Sequence, residues 1–407
     1  MGYMERRIPR DLVGADLAVR RYGDLGHRWL DGMWQADPLA DAVVADDFGA
    51  LSATEAVRTA LAGGIDSVVD APESLRLLFK FLDDEPDWVD HDRLDNAADA
   101  LVRHTPILGM VLGAASLVRG AGNEIAGKPL ALTGRYVSRP AVRSVEVGEW
   151  LRHVLTRGGM RRDAEGFAFT VRVRLIHAHV RRGIVATGRW DEEAWGVPIP
   201  QSYMALTMAE FGHIAVEAME VLGVRFTDEE RDDIYHLWRY VGHVIGMSDE
   251  LNLCKEADHV LVEELYRLTS PGPGDDDRRF VVALTDDYLV PELSNLLPGN
   301  ERLKRAVSET LMHGLQRVFI GDADADALHI PDGPIKHVLR RVGPALALVN
   351  RIQDLRYPDR ERVTARAYKG RDVAMDRMRA DYRVEHDLVD AAPHPETEPT
   401  HSTRSRG

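Results

Sequence analysis

Histidine is the side chain whose spacing in this sequence points most directly to chemistry. In Val171–Ile184 (VRVRLIHAHVRRGI) the first half alternates as a strand would, with Phe167, Phe169, Val171, Val173 and Leu175 on one side. The helical reading runs further: Val173, Ile176, His177, Val180 and Ile184 share one stripe, while Arg172, His179 and Arg182 share another. His179 lies about 200° round a 3.6-residue helix from His177, so the two imidazoles meet different surroundings. A neutral imidazole on an apolar face offers what a haem iron needs, namely one nitrogen lone pair and greasy walls for the porphyrin. Arg172, Arg174, Arg181 and Arg182 carry forked donors that suit two propionates. The same pattern also describes a hydrogen-bonded core histidine beside a solvated basic face. His213 (GHIAVEAM) and His243 (YVGHVIGM) are rivals of that kind.

Other signatures of chemistry are missing or incomplete. No GxGxxG follows a strand, and GxxxxGK[ST], HExxH, GxSxG and paired CxxC are absent. Asp322, Asp324 and Asp326 begin like a calcium loop, but Ala327 stands where the turn glycine belongs and Gly333 where a bidentate Glu belongs. The single cysteine, Cys254, excludes an intramolecular disulfide or a Cys-rich metal cage, fits a reducing compartment and reads as a small buried apolar residue.

These residues need a scaffold, and the patterning makes it helical. Amphipathic runs are long and Val/Ile/Thr alternation is scarce, so the expected class is all-α. Helices are expected at Ala53–Ala62, Ser74–Leu82, Asp92–Arg103, Arg139–Thr156, Ile199–Leu222, Asp228–Ile245 and Asn300–Phe319. Thr227 and Glu230 have capping-box spacing, and Pro86, Pro106, Pro140 and Pro200 sit near helix starts. Ser270–Arg279 and Gly321–Pro334 read as loops. Residues 1–390 are expected to form a single helical domain, with a core at about 20–250 and C-terminal helices at about 280–385 wrapped onto it. Residues 391–407 lack the apolar side chains to offset ordering and are expected to be disordered.

The formal charge of -15 opposes long contact with nucleic acid or anionic lipid. The uncharged stretch Thr105–Val118 is shorter than the ~20 residues of a membrane span and reads as a buried helix. With no signal-like apolar run near the N-terminus, the expected location is cytoplasmic.

Several blocks together resemble the latex-clearing-protein (rubber oxygenase) and MpaB-type oxygenase superfamily. They are RYGDLGHRWLDGMW, KPLALTGRYV at Lys128–Val137, VRVRLIHAHVRR around His177, WGVPIPQSYMALTMAEF at Trp195–Phe211 and LWRYVGHVIGM at Leu237–Met247. The resemblance implies a globin-like helical core with additional helices and a haem b whose iron is held by His177, with Arg174 and Arg181 as cofactor-binding residues. It also implies a distal helix on which rubber oxygenases carry Arg, then Lys three residues later, then Thr. Here that register falls on Arg143, Glu146 and Val147, so the Arg matches while the Lys and Thr do not. Arg143 and Glu146 are then the catalytic candidates, with Glu124 an alternative distal carboxylate. An ordinary i,i+3 ion pair on a solvated face is the competing reading of Arg143 and Glu146. The implied activity is a haem-dependent oxygenase or oxidase using dioxygen on a hydrophobic small molecule, and the departures in the distal register argue against polymeric rubber. A peroxidase and a non-catalytic haem sensor or carrier are the alternatives. The electron donor and oligomeric state stay open.

Overall fold

The computed structural model describes residues 7–46, 53–132, 139–356 and 359–384, and among these every regular element is helical. The expected helices are present with ends shifted by one or two residues, as at Glu73–Asp83 and Pro140–Val154. At Thr227 the capping box closes both ways: its hydroxyl accepts from the Glu230 N–H at 3.1 Å, and its own N–H donates to the Glu230 carboxylate at 2.9 Å. The tail after residue 390 lies outside the described residues.

Three segments differ from expectation. Asp275 begins a helix, Asp275–Leu284, whose first turn carries three aspartates, because acidic side chains favour the positive end of the helix dipole. Gly321–Pro334 contains a short helix, Asp322–Ala327. Its aspartates are taken by cations: Asp322 meets Arg317, Lys336 and Arg340, while Asp324 meets Arg119 and Arg267. Cys254 is half-buried rather than buried.

Three helices are interrupted by π-helical turns, at Leu112–Leu117, Glu210–Ile214 and Thr285–Leu289. The first two meet, since the Ser116 hydroxyl donates to the Glu210 carbonyl at 2.7 Å. Such turns widen a helix by one residue and rotate its side chains, a distortion often found at functional sites.

The main core gathers Trp29, Phe79, Phe167, Phe169, Leu237 and Trp238. A second core joins Ala114, Val118 and Ala121 to Phe280, Leu284, Val290 and Met312 of the C-terminal helices. Among the described residues no single helix is long and apolar enough to cross a membrane, although His91–Val102 and Thr105–Gly120 pass that test together while bent by 85°.

Candidate functional site

His177 lies in the helix Glu165–Ala186. Val171, Arg174, Ala178 and Arg181 form its deepest face, whereas the Val173, Ile176, His177, Val180 stripe is only partly covered and His179 is exposed. His177 nonetheless sits far inside. Burial is the first cause that pushes its pKa down to about 3, the charges of Arg181 and Arg143 push the same way, and Asp37 opposes them. The His177 ring is thus desolvated although part of the residue stays accessible. His177 makes no hydrogen bond among the described residues, so its lone pair is uncommitted.

The arginines around it serve a different purpose from the one expected. Arg174 is almost fully buried and forks onto Asp37, with Nε to Oδ2 at 2.6 Å and Nη2 to Oδ1 at 2.9 Å, while its guanidinium stacks 5.0 Å from the Phe81 ring. Arg181 Nε donates to Asp41 at 2.8 Å, Arg182 donates to the Val44 carbonyl, and Arg172 pairs with Glu165 at 2.7 Å. Three guanidinium groups thus strap the histidine helix to Asp37 and the helix it caps, Pro38–Ala45. Arg174 has no donor pair left for a propionate. Arg181 does: its buried Nη2 lies 2.7 Å from Asp41 Oδ1 but is not aligned to hydrogen-bond it.

Asp37 is where distant stretches of the sequence converge. It caps Pro38–Ala45 by accepting from the Ala40 N–H at 3.3 Å. Gly246 lies against it with φ of 95°, and a Cβ there would stand 2.2 Å from Asp37 Oδ2 and 2.6 Å from Arg174 Nε, so only glycine leaves room for the ion pair. Gln201 donates at 2.9 Å to the carbonyls of Ala36 and Gly246 and accepts from the Ser248 N–H at 2.9 Å. The RLIHAHVRR, WGVPIPQ and VGHVIGM blocks therefore fold around one buried carboxylate. Sequence reasoning missed Asp37, although two signals pointed to it: Asp-Pro is a helix-start dipeptide, and an arginine on the buried side of a helix requires a counter-ion.

The helix Pro140–Val154 runs back along the histidine helix. Trp150 Nε1 donates to Thr170 Oγ1 at 3.0 Å, and in an antiparallel pair that register carries Arg143 to the level of His177. The Arg143 charge felt by His177 agrees. Arg143 itself is exposed and Glu146 half-buried. The buried carboxylate of this helix is Glu149: burial works against its charge, but hydrogen bonds from His153 and Arg152 prevail and hold its pKa at about 2. Arg379 adds a contact at 3.5 Å.

Glu124 begins a different helix, 3.8 Å from Lys128, and Gly274 packs on its side chain. His243 stacks on Phe81 at 4.6 Å within a box completed by Trp88 and Tyr240, and burial lowers its pKa. His213 stands beside Glu217 and Glu263. A further carboxylate, Glu210, was not singled out in the sequence. Burial first, and the Glu263 charge second, raise its pKa to about 8, and Gly120 gives its Oε1 the room that a Cβ, at 2.3 Å, would fill.

Comparison with known proteins places this geometry in a family. Residues 102–351 match the family described as ER-bound oxygenase mpaB/B'/Rubber oxygenase, catalytic domain. A rubber oxygenase of Streptomyces sp. (strain K30) is 24% identical over 238 residues, 53% of this chain and 53% of that protein, so the aligned region spans about half of the relative. The structure of latex clearing protein in its closed state superposes with a TM-score of 0.62 at 17% identity, covering 84% of this chain and 91% of that one, a likeness of fold. The matched span takes in His177, Arg143, Glu146 and His243, with Asp37 outside it, and the chain belongs to this family of all-helical oxygenase catalytic domains.

Proposed function

We propose that this protein is a haem b-dependent oxygenase that uses dioxygen to oxidise a hydrophobic small molecule, with His177 as the protein ligand to iron. The observation that carries the reading is the His177 imidazole: deep, neutral down to a pH of about 3, and without a hydrogen bond among the described residues.

The residues present fit a haem. Its iron needs an uncharged imidazole, and His177 is kept uncharged by burial and by two neighbouring cations. A porphyrin needs apolar walls, which Val173, Ile176 and Val180 offer on a partly covered stripe. A propionate needs a donor, and Arg181 Nη2 is a buried donor without an aligned acceptor. When bound, haem supplies an iron centre that can pass electrons to dioxygen.

The chain's own residues then divide the work. Asp37 and Arg174 hold the histidine helix in place, so that the ring keeps its orientation. Arg181 would hold a propionate, and the Arg143 cation would draw negative charge towards the His177 level. Glu146, half-buried one turn after Arg143, holds or moves a proton. A lysine donor cannot be supplied from that position, so the ferric protein is expected to lack an amine ligand. Membership of the rubber oxygenase family favours a hydrophobic organic substrate, and the departures from the rubber oxygenase register favour a small molecule over a polymer.

The test is the absorption spectrum of protein produced with ample haem, as isolated and after dithionite. The parent should show a Soret band and His177→Ala should lose most of it while keeping its helical circular dichroism. A parent without a Soret band would overturn the proposal. So would a variant set in which His213→Ala or His243→Ala empties the site and His177→Ala does not.

A further inference from the structure

We propose that His213, Glu217 and Glu263 form a binding site for one divalent transition-metal ion, built from helices other than the one that carries His177. His213 lies in the second π-helical turn, Glu217 follows one turn later in Ala215–Val221, and Glu263 faces both from Glu256–Thr269. One donor atom from each lies within 4.8 Å of the others.

The spacing argues for a shared ion over direct pairing. His213 Nε2 is 3.8 Å from Glu217 Oε2 and 3.7 Å from Glu263 Oε2. Hydrogen bonds of this kind close to about 2.7–3.2 Å, so the imidazole is bonded to neither carboxylate. Two ligands each about 2.0–2.2 Å from one ion, at angles between tetrahedral and trigonal, stand roughly 3.3–3.8 Å apart, which is the separation seen. The π turn contributes to this geometry. By widening the helix by one residue around His213, it changes which face the imidazole presents relative to the regular helix before it.

The surroundings are those of an ordered ligand set with room for more. Glu263 Oε1 lies 2.8 Å from Nε of the buried Arg119, an ion pair without an aligned hydrogen bond, and Arg119 is itself held by Asp324. A cation beside one oxygen while the other faces His213 is how outer residues orient a ligating carboxylate. Beside it opens a cavity of about 40 Å³ lined by Ala115, Arg119, Ile214, Glu217, Glu263 and Phe319. That is space for a water, whose share of liquid volume is about 30 Å³, to complete the coordination. One imidazole with two carboxylates selects borderline ions such as Zn²⁺ over Ca²⁺ or Mg²⁺, which prefer all-oxygen sets. Glu217 is largely exposed, so it must be ordered on binding, and the site holds its ion less tightly than a closed four-ligand cage.

The test is calorimetric titration of Zn²⁺ into the full chain after chelator treatment, with Ca²⁺ titrated separately. The parent should bind one Zn²⁺ per chain that is lost on mutation of the cluster, and Ca²⁺ should bind far more weakly. His213→Ala and Glu217→Gln should each weaken that event by about tenfold or more, the scale on which ligand surroundings tune metal sites. The exposed His179→Ala serves as the control and should leave it within twofold. Glu217 is at the surface, so its variant folds even where His213→Ala does not, and Co²⁺ in place of Zn²⁺ should give a visible ligand-field band that Glu217→Gln perturbs. Zn²⁺ affinity unchanged in both cluster variants, or no Zn²⁺ event in the parent, would reduce the three residues to a surface ion cluster and overturn the proposal.

Discussion

The helix that carries His177 and the helix before it, Pro140–Val154, form one antiparallel pair but are held in opposite ways. The histidine helix is tied along its second half by Arg174, Arg181 and Arg182 to Asp37 and the helix Asp37 caps, with the central pair sealed from water. Pro140–Val154 is tied at its far end, where Glu149 collects Arg152, His153 and Arg379 and Trp150 bonds to Thr170. Its near end, with Arg143 and Glu146, keeps access to water. On the proposed function, the difference separates two demands. The ligand to iron must not move or titrate, whereas the group that handles protons must exchange them.

The largest expected signature of that division is kinetic. Glu146→Gln keeps the shape and removes ionisation, so turnover should fall by 10²- to 10⁴-fold, about 3 to 5 kcal/mol of barrier, with haem content and Soret position unchanged. Turnover within threefold of the parent would return Glu146 to a solvated helix face. Asp37→Ala attacks the other side. It strands the Arg174 guanidinium in the core, where removing one partner of a buried pair costs about 3 to 5 kcal/mol. The thermal midpoint should drop sharply and haem should be retained poorly. A loss under about 1 kcal/mol would mean that the strap does not hold the helix. Gly246→Ala should do the same by steric means.

Much of this arrangement was legible in the sequence and some was not, for reasons that can be named. Periodicity located His177 and separated it from His179, because a 22-residue helix repeats its pattern often enough to fix a face. It misread which face is deepest. Arg174 and Arg181 count as polar in any hydropathy pattern, yet each is buried because a carboxylate from Pro38–Ala45 or its cap meets it. Asp37 was illegible for the same reason, since its partner lies 137 positions away and no local rule spans that distance. The π turns left no mark, as Glu210–Ile214 continues the composition of the helix around it. Glu210 and the His213 cluster were hidden with it. Asp275–Leu284 was partly read as loop because three consecutive aspartates suggest a turn until they are recognised as a helix start.

The next effect is moderate and depends on pH. Glu149 has a folded pKa of about 2, below the ordinary carboxylate value, so it contributes stability that is complete above about pH 4.5 and lost as pH falls through 2. His177 acts in the same direction. Its folded pKa of about 3 lies below the unfolded value near 6.5, so acidification through that window favours the unfolded, protonated chain. Glu149→Gln should cost about 1 to 3 kcal/mol at pH 7 and flatten the acid limb of a stability-versus-pH curve measured by urea denaturation. An equal loss at pH 3 and pH 7 would assign the effect to packing rather than charge.

The smallest expected effect is the sharpest check on the rotation of the histidine helix. His179 is two residues from His177, carries the same ring and is exposed, with its pKa lowered by partial burial and by the Arg182 charge. His179→Ala removes neither the proposed iron ligand nor a side-chain hydrogen bond among the described residues, and alanine has the higher helix propensity, so stability should stay within about 0.5 kcal/mol. Haem content should match the parent. The comparison is demanding because a register error of two residues, or a helix rotated by half a turn, would exchange the roles of the two histidines. In that event His179→Ala would empty the site and His177→Ala would keep its Soret band. Equal partial losses in both would mean that neither ring is the axial ligand, and the apolar stripe would then be a packing surface alone.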